Sequence, residues 1–216
     1  METEWRGDLT AAEYLADDRA RLRAGRPVAA AGRLTDTSIS VGVSVRIDPG
    51  LTETAARRGW PILRRSSGGT ALLHRPGELL WSLVLPRDDP RAGRGFVRAY
   101  ATLGAPVVAA LADAGIAAAW GPALSLSDRF CLFGARGELL RVDGRALGGA
   151  AQHLSGAALL HHGTLNVSVD RTAIADLFGV DAGALRDRLT ALEELRPTAS
   201  AERIGRAALL RWASFA

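Results

Sequence analysis

Helical and extended periods of apolar residues alternate along this chain, and turn residues mark most of the changes. Thr10-Ala11-Ala12-Glu13 has the spacing of a capping box and Gly25 follows an arginine-rich last turn, so residues 11–24 read as a helix. From Pro27 to Ile47 the runs shorten and look extended; Ile39 to Val45 alternates with period two. Asp48-Pro49 opens a second helix that Gly59 closes. Pro61–Arg65, Thr70–His74 and Leu79–Leu85 read as strands, separated by the tight loop Ser66-Ser67-Gly68-Gly69 and the turn Arg75-Pro76-Gly77-Glu78. Residues 92–115 are helical in pattern, with an expected interruption at Gly104-Ala105-Pro106. Strands are expected at 130–134, 138–142 and 157–169, then helices at 171–178, 183–195 and 200–213, with Pro197 between the last two. The pattern predicts one α+β domain over residues 1–216, a mixed, mostly antiparallel sheet flanked by helices, with a helical tail over 171–213.

Composition narrows the classes. The 216 residues suffice for one large domain, and 48% apolar with 23% charged residues fits a soluble, packed protein. No apolar run reaches the ~18–20 residues that span a bilayer, and the acidic, polar opening carries no leader pattern. Cytoplasmic location without membrane attachment is therefore expected. A single cysteine, Cys131, excludes an intramolecular disulfide and a cysteine-built zinc centre. All 27 basic residues are arginine, so no lysine can act as Schiff base, general base or phosphate ligand. The net charge of +4 is scattered and aromatics do not interleave with an arginine cluster, which argues against nucleic-acid binding.

Small, polar and titratable residues gather in two segments, and this concentration suggests one site built from both. In Arg64-Arg65-Ser66-Ser67-Gly68-Gly69-Thr70-Ala71-Leu72-Leu73-His74 the glycines let a ligand approach the backbone, and free N–H groups can bind a carboxylate or phosphate. A solvated hairpin loop is the competing reading. Strand alternation lets only one of Arg64 and Arg65 face such a ligand. In Gly144-Arg145-Ala146-Leu147-Gly148-Gly149-Ala150-Ala151-Gln152 small residues again line up. The strand ending His161-His162-Gly163-Thr164-Leu165 puts its two histidines on opposite faces, so at most one joins a common site, and two adjacent histidines make a poor metal site.

In order and spacing these three motifs, spread over a core from about Ser38 to Val169, resemble the lipoate–protein ligase family, which shares its fold with biotin ligases and octanoyltransferases. The resemblance implies a biotin/lipoate ligase-like catalytic domain that moves an octanoyl or lipoyl group to a lysine. That lysine lies on a lipoyl domain of a 2-oxoacid dehydrogenase or on the glycine-cleavage H protein. By the same resemblance, Arg65, Ser67, Gly68, Gly69 and His74, with Gly148, Gly149 and Ala150, line the acyl or acyl-adenylate pocket, and His161, His162 and Gly163 belong to a wall of it. Arg145 stands where the family has a lysine, keeping the charge but not the readily lost proton. Thr70 replaces a third glycine or an arginine of the loop. No separate C-terminal ligase domain follows the motifs, which shifts weight to a transferase or to one subunit of a split ligase. Cys131 lies thirteen residues before Gly144; related octanoyltransferases use a cysteine in a similar place as an acyl carrier, and Arg129, Arg145 or a histidine would activate it. The alternative for Cys131 is a small buried residue between Phe130 and Phe133. ATP and magnesium are implied for a ligase; an acyl carrier protein, and no cofactor, for a transferase. A non-catalytic relative that binds the acyl group or the lipoyl domain is the competing function.

Overall fold

The computed structural model describes residues 1–92, 96–121, 130–131 and 139–215, with backbone alone for 96–98. Strand β1 (Glu2–Leu9) leads into α1 (Ala11–Ala24), β2 (Val28–Leu34), β3 (Ser38–Val41), α2 (Pro49–Arg58), β4 (Ile62–Arg64), β5 (Ala71–His74) and β6 (Leu79–Pro86). After a single 3-10 turn come α3 (Phe96–Asp113), β7 (Ala119–Gly121), β8 (Leu139–Val142), β9 (Arg145–Leu154) and β10 (Ala158–Leu165). Four helices finish the chain: α4 (Arg171–Phe178), α5 (Ala182–Arg186), α6 (Leu192–Leu195) and α7 (Ala201–Ala213). Local chemistry sets several of these boundaries. Thr10 and Glu13 form the reciprocal capping box of α1, Asp48 caps α2, and Gly25 and Gly59 end the two helices in the left-handed region.

The strands form two sheets. The larger runs β1-β2-β6-β10-β9-β8-β7, parallel only between β1 and β2; the smaller runs β4-β3-β5 with β3 and β4 parallel. Both are mixed; the larger is mostly antiparallel, as the pattern predicts, and the smaller has one pair of each kind. One face of the large sheet packs Leu79, Trp81, Leu83, Leu85, Leu159 and Leu165 against α3 and α7. Its other face turns Leu80, Val84 and Leu160 toward α1, meeting Tyr14, Leu15 and Leu22. The alternation of β10 therefore divides its side chains between two environments.

Four differences from the pattern have tertiary causes. The polar opening segment forms β1, an edge strand whose exposed glutamates tolerate water while Trp5 packs beside Gly205 of α7. Helix α3 runs through Pro106 without a break; burial of Leu103, Val107, Ala110 and Leu111 outweighs the missing backbone hydrogen bond. The expected helix at 183–195 is split into α5 and α6, because Ala146 hydrogen-bonds the backbone of Arg188 and Thr190 and draws the intervening residues to the sheet. The segment 145–154 is a ten-residue strand, although its glycines and alanines give no alternation to read. Most of the expected strand at 130–134 lies outside the described residues, as do Arg129 and Phe133.

Candidate active site

The loop Ser66–Gly69 leaves the small sheet between β4 and β5 and meets the α1-facing side of the large sheet. The junction is a hydrogen bond of 2.6 Å between Ser67 Oγ and His162 Nε2 of β10. The other ring nitrogen of His162 lies 2.6 Å from Asp18 Oδ2 on α1. All three side chains are buried. Tyr14, one turn before Asp18, stacks against the imidazole with centroids 6.4 Å apart. Its phenol stays protonated well above the usual range, first because it is buried and second because Asp18 is near.

A second buried chain supports the loop from the small sheet. Glu78 Oε2 lies 2.5 Å from His74 Nδ1, and His74 Nε2 lies 2.8 Å from Ser40 Oγ. Ser40 Oγ and its carbonyl both accept from Arg65 Nη1 at 3.1 Å. The same guanidinium donates to the carbonyls of Gly68 and Thr70, and Nη2 lies 3.2 Å from Cys131 Sγ. Strand alternation separates the two arginines as expected: Arg65 is buried under the loop, while Arg64 is exposed and donates to the carbonyls of Gly42, Val43 and Val45. One buried arginine thus holds the loop in shape and brings a full positive charge to the thiol.

This clamp also fixes the direction of the loop amides. Peptide planes are trans, so an N–H points opposite to the carbonyl of the same plane. The Gly68 carbonyl turns toward Arg65 and the Ser67 carbonyl accepts from Val43 N–H. The N–H groups of Gly69 and Gly68 therefore turn away from those partners, on residues that are exposed. Gly69 has φ 90°, and a Cβ there would lie 2.6 Å from Cys131 Sγ and 2.7 Å from Arg65 Nη2, so only glycine admits the thiol so close to the backbone. The result is a nucleophile-capable sulfur beside a guanidinium, on a loop whose Gly68 and Gly69 N–H groups face away from their backbone clamp and can meet an anionic or carbonyl oxygen. A cleft of about 410 Å³ borders the loop at Thr70 and Ala71, walled by Val45, Ile47, Leu51, Leu177 and Phe178, with Arg46 and Asp48 beside them.

The other residues singled out from the sequence lie elsewhere. Gly148, Gly149 and Ala150 are in the middle of β9, paired with Leu165, Thr164 and Gly163. What passes close to them is the backbone of β10: a Cβ on Gly148 would collide with the Thr164 carbonyl, and one on Gly163 with the Trp81 ring. His161 faces the opposite side of the sheet from His162, edge-on to Tyr100 and Trp120. Arg145 lies at the far end of β9, 3.9 Å from Glu194, whose carboxyl is held below the usual range by Arg171 first and Arg145 last. Ala146, not Arg145, belongs to the buried cluster with Ala71 and Phe130, against which Cys131 packs. Asp18, Ser40 and Glu78 carry no motif signal; they are polar residues on elements read correctly as helix, strand and turn. The one trace in the sequence is Asp18, a carboxylate that falls among Tyr14, Leu15 and Leu22 on the buried side of α1.

Three comparisons bear on this geometry. The model of the lipoyl protein ligase A/B catalytic domain matches residues 13–210. Octanoyltransferase LipM of Exiguobacterium sp. is 30% identical over 167 residues, covering 73% of this chain and 60% of that protein. The octanoyl-[GcvH]:protein N-octanoyltransferase of Kyrpidia tusciae is 42% identical over 128 residues, covering 55% of this chain and 41% of that protein. The chain thus spans about half the length of the curated relatives it matches. Among solved structures, lipoate-protein ligase A bound with ATP superposes with a TM-score of 0.76 at 21% identity, covering 99% of this chain and 85% of that one, a likeness of fold.

Proposed function

Because the chain belongs to the lipoyl protein ligase A/B catalytic domain family, we propose that it transfers an octanoyl or lipoyl group from a thioester donor to a lysine of a lipoyl domain or glycine-cleavage H protein, with Cys131 as the intermediate acyl carrier. The observation that carries this reading is the placement of Cys131 Sγ 3.2 Å from the buried Arg65 guanidinium, against Gly69. In the first half-reaction the sulfur attacks the donor's thioester carbon. A new C–S bond forms, the donor's C–S bond breaks, and the donor thiol leaves with the proton that Cys131 gave up. The N–H groups of Gly68 and Gly69 meet the carbonyl oxygen, and Arg65 sits where negative charge on sulfur would develop. In the second half-reaction the acceptor's amine replaces sulfur at the same carbon. The cleft beside Thr70 and Ala71 offers an apolar wall for the alkyl chain, worth about 0.8 kcal/mol per buried CH₂.

The N–H groups of Gly68 and Gly69 suit a phosphate as well as a carbonyl oxygen, so ATP-driven ligation is tested alongside transfer. The protein is incubated with octanoyl-acyl carrier protein and an apo lipoyl domain or H protein, and separately with octanoate, ATP and magnesium, each read by intact mass. A mass gain of one octanoyl group on the wild-type protein, its passage to the acceptor, and loss of both in Cys131→Ser are expected. Acceptor modification with ATP alone would replace transfer by ligation. Acceptor binding with no modification from either donor would leave a binding module.

A further inference from the structure

Transfer to an amine releases a proton, and this chain has no lysine to receive it. Arginine does not lose its proton in proteins, which removes Arg65 from consideration. Of the four histidines, His74 has both ring nitrogens engaged by Glu78 and Ser40. His161 lies on the other face of the sheet. His153 is two rungs farther along the β9–β10 ladder, next to exposed Leu154. His162 remains, and its surroundings are arranged for the task. Asp18 is an acceptor only, so Nδ1 carries a hydrogen toward it. In the neutral ring Nε2 is then the acceptor, and Ser67 must donate its hydroxyl hydrogen to it. Ser67 Oγ then has lone pairs that accept from no donor among the described residues, in a side chain that is fully buried. One step along the same face of β10, the Thr164 hydroxyl is fully buried and has no partner among the described residues, a second sign that a polar group belongs beside this strand. Ser67 is two residues from Gly69, at most about 7 Å along the chain, and Gly69 touches Cys131.

We infer that Ser67, His162 and Asp18 form the proton relay of the second half-reaction, an inference that rests on the transfer reading above. The acceptor's amine attacks the acyl carbon of S-acyl-Cys131. The C–N bond forms, the C–S bond breaks, and the sulfur leaves as thiolate toward Arg65. The amine's proton goes to Ser67 Oγ as the Ser67 proton goes to His162 Nε2, and Asp18 stabilises the resulting imidazolium. The imidazolium then returns its proton through Ser67 to the thiolate, which restores Cys131. Ser67 is the catalytic residue of the relay; His162 acts through it, and Asp18 positions His162 and selects its tautomer.

The two half-reactions separate this role from a structural one. Wild-type protein, Asp18→Asn, His162→Ala and Ser67→Ala are loaded from octanoyl-acyl carrier protein, and the Cys131 adduct is quantified by intact mass. An apo lipoyl domain is then added and the rate of adduct loss to the acceptor is followed. From equally loaded protein, the variants should transfer about 10²–10³-fold more slowly than wild type, within the range that general acid–base groups supply. Added imidazole should restore transfer in His162→Ala, which repacking alone would not do. Wild-type transfer rates in Asp18→Asn and His162→Ala would overturn the relay. Equal loss of loading and transfer, without imidazole rescue, would reduce the three residues to loop supports. A wild-type protein that never forms the adduct would instead refute the transfer reading, and the relay with it.

Discussion

Acidification should destabilise this fold through His161, independently of any catalysis. The residue is fully buried, donated to at Nδ1 by Gln152 across 3.2 Å, and its Nε2 has no partner among the described residues. Burial, and after it the neighbouring His162, brings its pKa down from 6.5 to about 3. Between these values the unfolded chain binds a proton that the folded protein refuses. Folding stability from this group is therefore fully present above the unfolded pKa and falls as pH drops from 6.5 toward 3. Integrating from pH 7.5 to 4.5 at 1.36 kcal/mol per unit gives a loss of about 2.7 kcal/mol. His161→Gln removes the titration while keeping a polar side chain near Gln152. Urea unfolding of both proteins at the two pH values isolates the term, because all other groups cancel in the difference. Wild type should lose about 2.7 kcal/mol more than the variant. Equal losses would show that the imidazole charges freely in the folded state and that this side of the sheet is wetter than described.

Two further substitutions test the site. Gly69→Ala places a Cβ at φ 90° and against both Cys131 Sγ and Arg65 Nη2; strain of about 1–3 kcal/mol should lower the urea midpoint, and loading of Cys131 should fall, whereas unchanged loading would show that the thiol does not rest on the loop. Arg145→Ala removes a partly exposed ion pair with Glu194, so stability should change by less than about 1 kcal/mol and transfer should persist; a loss of 10²–10³ in rate would instead assign Arg145 to the acyl carbonyl.

Much of the frame was legible because it is set by near neighbours. The capping box at Thr10 and Glu13, the cap at Asp48 and the closing glycines at 25 and 59 act within one helical turn, and the structure bears each of them out. The motif segments also point to one shared region, and the loop at 66–69 does meet β10. Alternation on β10 correctly allowed only one of the adjacent histidines to face it, since successive side chains of a strand point to opposite faces. It could not say which one. That choice depends on which face α1 covers, and the deciding contact joins Asp18 to His162 across 144 residues of chain.

The same limit hid the support of the thiol. Arg65 and Cys131 are 66 residues apart, and Ser40 is 25 residues from Arg65; neither separation has a periodic signature. Buried polar groups must find partners wherever the packed sheets bring them, so their pairing is a property of the assembled fold. Glycine-rich β9 shows the converse. Its small residues line up so that something can pass close to the backbone, and at Gly148 the tertiary structure brings the backbone of β10 there. Sequence alone fixed where the chain turns and which segments are chemically unusual, because capping, turn geometry and side-chain period act over a few residues. Only the packing of α1 and the small sheet against β10 decided which of those unusual residues touch, because long-range contacts depend on the faces that hydrophobic burial turns inward.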